Sequence, residues 1–143
     1  MDVAYQLAET AVSRRYEHLA RTTLDATTEA LIDSLAVALA GTNAPGLAQA
    51  RRAMARWGTA GSTVWGGFGK APAPLAALLN AASLHALDYD DTDDKVPLHA
   101  NSVVLPALLA DLEENRPDCD GREFLIALAV GLDGAMRVGR ASG

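Results

Sequence analysis

Alanine and leucine recur along this chain at helical spacing, and that pattern restricts its fold more than any other feature. About one residue in five is alanine, and both residue types head the helix-propensity ranking. Val3, Leu7 and Ala11 repeat at i, i+4 and i+8, which predicts a first helix over about 2–13. Thr28, Leu31, Leu35, Ala38 and Leu39 form a second stripe, and Gly41 stands where a C-capping glycine would end it. Pro45 is placed as the first residue of a third helix that Gly58 would close. Residues 75–88 return to the same alanine and leucine pattern. Ser102 reads as the N-cap of a helix through about Glu114, with Pro106 in its first turn, where a missing N–H matters little. Asp120 and Glu123 make a capping-box-like start for a last helix that runs to the chain end.

Between the third and fourth helices, residues 58–74 (GTAGSTVWGGFGKAPAP) are rich in Gly and Pro, which predicts a loop with at most one short strand near 62–65. No repeat of fixed period is present. The expected fold is all-α, with about six helices in one domain over residues 1–143. A chain of 143 residues can bury roughly 68–70% of its unfolded surface, enough for a core. The last segment, FLIALAVGLDGAMRVGRASG, is apolar on more than one face and therefore expects neighbours on several sides.

Charge excludes several function classes. Twelve Lys and Arg against 18 Asp and Glu leave a net charge of −6, and the arginines are scattered, so no cationic face is prepared for nucleic acid. The longest apolar run, Leu125–Leu132, is far below the roughly 20 residues that span a bilayer, so no membrane partner is expected. The N-terminus carries Asp2 and Glu9 and lacks a basic region before an apolar stretch, unlike a secretory signal. The single cysteine, Cys119, forms no internal disulfide, and a cytoplasmic location is the expectation.

Chemistry concentrates in one loop. His85, Asp88, Asp90, Asp91, Thr92, Asp93, Asp94, Lys95 and His99 lie within 15 residues, interleaved with Leu84, Leu87 and Tyr89. His85 and Asp88, three apart at the expected helix end, should share a face. Carboxylates near apolar surface and near one another are pushed up in pKa, which makes them acid–base candidates. A solvated acidic turn is the plainer reading of such a run. The EF-hand pattern fails, because from Asp88 its glycine position holds Asp93 and its final glutamate position holds His99. Asp90, Asp91 and Asp94 match the spacing of a diphosphate-binding Asp motif, but no second acidic cluster follows. Gly66–Lys70 is not a Walker A loop, since Ala71 replaces the Ser or Thr.

The stretch LLNAASLHALDYDDTDDKVPLHANSVVLPALLA, residues 78–110, closely resembles the N-terminal signature of the MmgE/PrpD family. That signature runs as H-A-x-D-[FY]-D-D-T, then H-P-[ST] leading into V-[VL]-P-A. ALIDSLAVALAG, residues 30–41, and GREFLIALAVGLDGAMRVGRA, residues 121–141, resemble further family helices in the same order. The family includes 2-methylcitrate dehydratase, cis-aconitate decarboxylase and iminodisuccinate epimerase. The resemblance implies a lyase or epimerase, without metal or cofactor, that moves a proton at carbon beside a carboxylate of a small di- or tricarboxylate. By position it implies Asp88 as an acid–base or orienting carboxylate, Thr92 as a hydrogen-bond donor to substrate and His99 as a proton carrier or carboxylate donor. Loop histidines suit that work, having an unperturbed pKa of about 6.5.

Asp90 and Asp91 are expected to shape the turn through side-chain to backbone hydrogen bonds, and His85 to pack or cap. The sequence departs from the signature at Asp93 and at Ala100, which stands where a proline is usual. Lys95 is read as the nearby cation, and the substrate-binding residue, that offsets this negative charge. Family enzymes carry a second α/β lid domain, so the chain is expected to be a partial helical domain. A homo-oligomer or a complementing C-terminal chain would complete the site. A non-catalytic helical binding or assembly module on the same scaffold is the alternative.

Overall fold

The computed structural model describes residues 2–59 and 61–142. Within them six α-helices follow in order: α1 (Val3–Ser13), α2 (Arg21–Gly41), α3 (Leu47–Met54), α4 (Ala73–His85), α5 (Ala100–Asn115) and α6 (Gly121–Ser142). The all-α expectation holds. The last helix begins where the sequence places it: Asp120 Oδ1 accepts from the Arg122 and Glu123 N–H groups at 2.8 and 2.9 Å. Only that half of the capping box forms, because the Glu123 carboxylate turns to Arg116 at 3.2 Å.

Several local expectations are corrected. The second helix starts at Arg21, well before the apolar stripe, and Gly41 is its last residue rather than a left-handed cap. A Cβ on Gly41 would stand 2.0 Å from the Ser83 carbonyl oxygen, so this glycine is required by the close approach of α4. Pro45 lies in the turn before α3, whose N-cap is Gly46 at φ 93°; Gly58, at φ 109°, does end the segment after a 3-10 turn over Ala55–Trp57. The Gly/Pro-rich stretch holds two short strands instead of one. β1 (Ser62–Thr63) pairs antiparallel with β2 (Lys70–Ala71) across a turn in which Gly66, Gly67 and Gly69 all have positive φ. Helix α5 starts three residues early, at Ala100, and Pro106 falls inside it, where its missing N–H releases a carbonyl one turn back.

The core follows from small residues. Ser34, Ala38 and Gly41 recur at i, i+4 and i+7 on the buried side of α2, letting α4 pack tightly against it. Helix α4 packs on its other side against α5, and α5 against α6. Val64, Ala71, Ala76, Leu79 and Ala110 form one buried cluster beneath the hairpin. Leu84, Leu105 and Leu128, one each from α4, α5 and α6, are fully buried. Burying a leucine stabilises by about 1.5–3 kcal/mol, so each of these three helices contributes one such buried anchor. Helix α6 is otherwise only partly covered, in line with its apolar faces, and none of the residues of α1 is buried. No helix is long and apolar enough to cross a membrane among the described residues.

Candidate active site

The loop between α4 and α5 is shaped at both ends by backbone constraints. Helix α4 stops at His85, three residues short of the sequence expectation, because Asp88 takes the left-handed conformation at φ 55°. It is the one non-glycine residue with positive φ among the described residues. Aspartate tolerates this region better than most side chains, and strain of this kind gathers at functional sites. The turn is closed by the Asp88 N–H, which donates to the His85 carbonyl at 3.2 Å. Asp88 is therefore beyond the helix rather than on its face, yet the turn still brings it back beside His85. At the other end, His99 occupies the N-cap position of α5 without capping it. The cap comes from the loop, since Asp91 Oδ1 accepts from the Asn101 N–H at 3.0 Å.

Asp90 is the hub. Its side chain is 0% exposed, and one oxygen accepts from His85 Nδ1 at 2.9 Å and from the Ser102 hydroxyl. An ionised carboxylate only accepts, so Nδ1 of His85 carries the proton of that bond. His99 Nδ1 lies 3.3 Å from the same oxygen but out of line, leaving this buried nitrogen without a hydrogen-bond partner. The two imidazoles meet edge to face with centroids 4.7 Å apart. One ring nitrogen or carboxylate oxygen from each of His85, Asp88, Asp90 and His99 falls within 4.8 Å of the others. Two imidazoles and two carboxylates form a set that can relay a proton, and also the set a divalent cation would use.

Two neighbouring acids titrate in opposite directions. Burial pushes Asp90 up, but donation from Ser102 and His85 outweighs it and holds the carboxyl below its ordinary value. Burial also acts on Asp91, where the Asn101 donor does not compensate, and that carboxyl is held above its ordinary value. So the expected upward shift in this loop is found at Asp91 and reversed at Asp90.

Of the sequence-predicted residues, Asp88 and His99 come together, the first exposed and the second half-buried. Thr92 is exposed on the loop, between the two tethered residues Asp91 and Asp93. Lys95 is exposed, and it is its backbone N–H that donates to Asp93, at 2.8 Å. The cation that meets Asp93 is Arg140 of α6, with Nε at 3.2 Å, so Lys95 is not the only cation offsetting the loop's charge. Asp91 shapes the loop through a backbone bond as expected, whereas Asp90 does so through side chains. His85 and Ser102 enter the site although the sequence suggested a packing histidine and an N-cap. No local signal marked Ser102, which lies 12 residues after Asp90, a separation no helical or turn rule connects.

Comparison with known proteins identifies the family. The MmgE/PrpD N-terminal domain matches residues 5–143. The cis-aconitate decarboxylase-like protein oryM of Aspergillus oryzae is 35% identical over 117 residues, covering 78% of this chain and 24% of that protein. The cis-aconitate decarboxylase of Aspergillus terreus is 30% identical over 115 residues, again 78% of this chain and 24% of its own length. The human cis-aconitate decarboxylase is 36% identical over 75 residues, 50% of this chain and 15% of that enzyme. The chain thus spans about a quarter of the length of the fungal relatives it matches. Because the MmgE/PrpD N-terminal domain matches residues 5–143, nearly the whole chain, this chain belongs to the MmgE/PrpD family and corresponds to its N-terminal domain.

Proposed function

We propose that this chain is the N-terminal helical part of a lyase or epimerase of small di- or tricarboxylates, working by proton transfer at a carbon beside a carboxylate. The observation that supports it most is the convergence of His85, Asp88, Asp90 and His99 within 4.8 Å in a chain 35% identical to a cis-aconitate decarboxylase-like protein. For a decarboxylation, the bond between carbon and the leaving carboxylate breaks, CO₂ departs, and a proton is delivered to the carbon that keeps the electron pair. His99 carries that proton, its ring lying beside the Asp90 carboxylate with Nδ1 3.3 Å from one oxygen. Asp88, exposed and set by its left-handed turn, orients the substrate or takes a proton from it. Thr92 donates a hydrogen bond to a substrate carboxylate, and Lys95 supplies a positive charge from the loop rim.

A dehydratase acting on 2-methylcitrate would use the same groups, losing water in place of CO₂. The relatives extend well beyond this chain, and the remainder of a family member, including an α/β lid domain, would supply the other carboxylate-binding cations. The chain acts, on this reading, within a longer protein, a homodimer or a complemented pair.

The test is a chimera in which residues 5–143 replace the matching segment of the oryM-like relative, assayed for CO₂ release from cis-aconitate and for dehydration of 2-methylcitrate. Activity lost in Asp88→Asn and His99→Ala but kept in the unmutated chimera supports the reading; equal activity in all three would sink the catalytic roles. A second reading, a helical assembly module, draws on the apolar groove of about 650 Å³ between α1 and α6, where Leu7, Ala11, Leu19, Ala129 and Val138 face open space. Tight self-association of a chain that binds no carboxylate would favour it.

A further inference from the structure

Between its ends, the acidic loop is fastened to helix α6. The Asp93 side chain is 4% exposed, and Arg140 donates to its Oδ2 through Nε at 3.2 Å and also through Nη2. The loop closes on itself around this acid: Asp93 Oδ1 accepts from the Lys95 N–H at 2.8 Å, the Asp93 carbonyl accepts from Val96 at 3.3 Å, and the Asp93 N–H donates to the Leu98 carbonyl at 3.3 Å. One residue before Arg140, α6 meets the same turn. A Cβ on Gly139 would lie 3.1 Å from Leu98 and 3.3 Å from Val96, so helix backbone and loop side chains are in direct contact there. On the other side of Thr92, Asp91 is tied to the first turn of α5. Thr92 therefore sits between two tethers that run to different helices.

We propose that Arg140, acting through Asp93, is a positioning residue that fixes the loop segment carrying Thr92, between the tethers at Asp91 and Asp93. The inference rests on the reading of Thr92 as a substrate-binding residue. Arg140 does not touch the cluster; it fixes the segment that carries Thr92. Because both guanidinium nitrogens converge on a single carboxylate oxygen instead of forking over two, a lysine ammonium can substitute for them. Arg140→Lys keeps the latch, and Arg140→Met opens it. Asp93→Asn opens it from the loop side while keeping an acceptor for the Lys95 N–H. Raising ionic strength loosens the native latch and leaves Arg140→Met unaffected.

The experiment pairs amide hydrogen exchange and the Thr92 methyl resonance with steady-state kinetics of the chimera described above. Arg140→Met and Asp93→Asn should each speed exchange of the Lys95 and Val96 amides about tenfold and shift the Thr92 methyl. Both should raise KM for cis-aconitate about tenfold with kcat nearly held, within the losses that ångström-scale misplacement causes. Arg140→Lys should restore both readouts. Native-like exchange and Thr92 signals in both opened variants overturn the proposal, as does faster exchange with unchanged KM. A chimera without turnover overturns the proposed function instead; an altered Thr92 resonance reversed by Arg140→Lys then still upholds the latch.

Discussion

Replacing Asp90 with asparagine removes one charge from a fully covered position while keeping size and shape. In the native chain one Asp90 oxygen takes the His85 Nδ1 proton at 2.9 Å and the Ser102 hydroxyl. Hydrogen bonds to a charged group contribute about 1.5–3 kcal/mol each, neutral ones about 0.5–1.5. Converting two of the first kind to the second costs about 2–3 kcal/mol in all. Relief of burying a charge works against that loss. The carboxyl is nonetheless held below its ordinary value, which means that the donors outweigh burial and the net change is destabilising. The sign with pH follows from the same shift. A lowered folded-state pKa gives stability that is present above the unfolded value of 3.8 and drains away as pH falls from there through the folded value. Urea denaturation followed by circular dichroism should therefore show Asp90→Asn about 2–3 kcal/mol less stable at pH 7, with the gap narrowing below pH 4. Equal stability at pH 7, or a deficit that does not shrink in acid, would refute the reasoning.

Asp91 responds oppositely: its raised pKa marks a cost that is present when the group is charged and relieved as pH falls through the folded value, so Asp91→Asn, which keeps an acceptor for Asn101, should leave stability at pH 7 unchanged or higher in the same urea assay. Gly41→Ala should lower stability by about 2–3 kcal/mol or more, because its methyl would meet the Ser83 carbonyl, a backbone group that cannot swing aside. Gly134→Ala, also helical but with open space around it, should raise thermal stability by about 0.5–1 kcal/mol, and calorimetry of the pair separates packing from propensity. Leu105→Ala, at a site 0% exposed between α4 and α6, should cost about 2–5 kcal/mol by the same denaturation.

Helix identity was legible wherever alanine and leucine kept their period, and helix ends were not. Gly41 shows why. A glycine after an apolar stripe reads as a cap, but here it is demanded by a helix arriving from 42 residues downstream, and no local rule registers that contact. The hairpin escaped for a related reason: two-residue strands are too short for alternation, and their marker was the run of glycines at 66, 67 and 69. In the loop, the resemblance to the family signature singled out Asp88, Thr92 and His99, and the fold brings Asp88 and His99 together. What spacing did not reveal were the members joined through space. Ser102 looked like a cap because serine commonly is one, yet α5 begins earlier and its cap is supplied by Asp91. Arg140 lies 47 residues from Asp93, so the charge balance around the loop was misjudged when only Lys95 was counted.

The account turns on His99 and Asp88 acting on a carboxylate substrate. The most direct measurement is CO₂ release from cis-aconitate by the chimera carrying residues 5–143, compared with its Asp88→Asn and His99→Ala variants at equal folded concentration. The account predicts turnover in the parent and a fall of at least about a hundredfold in each variant, the scale at which a positioned acid–base group contributes. Turnover that survives both substitutions would contradict it.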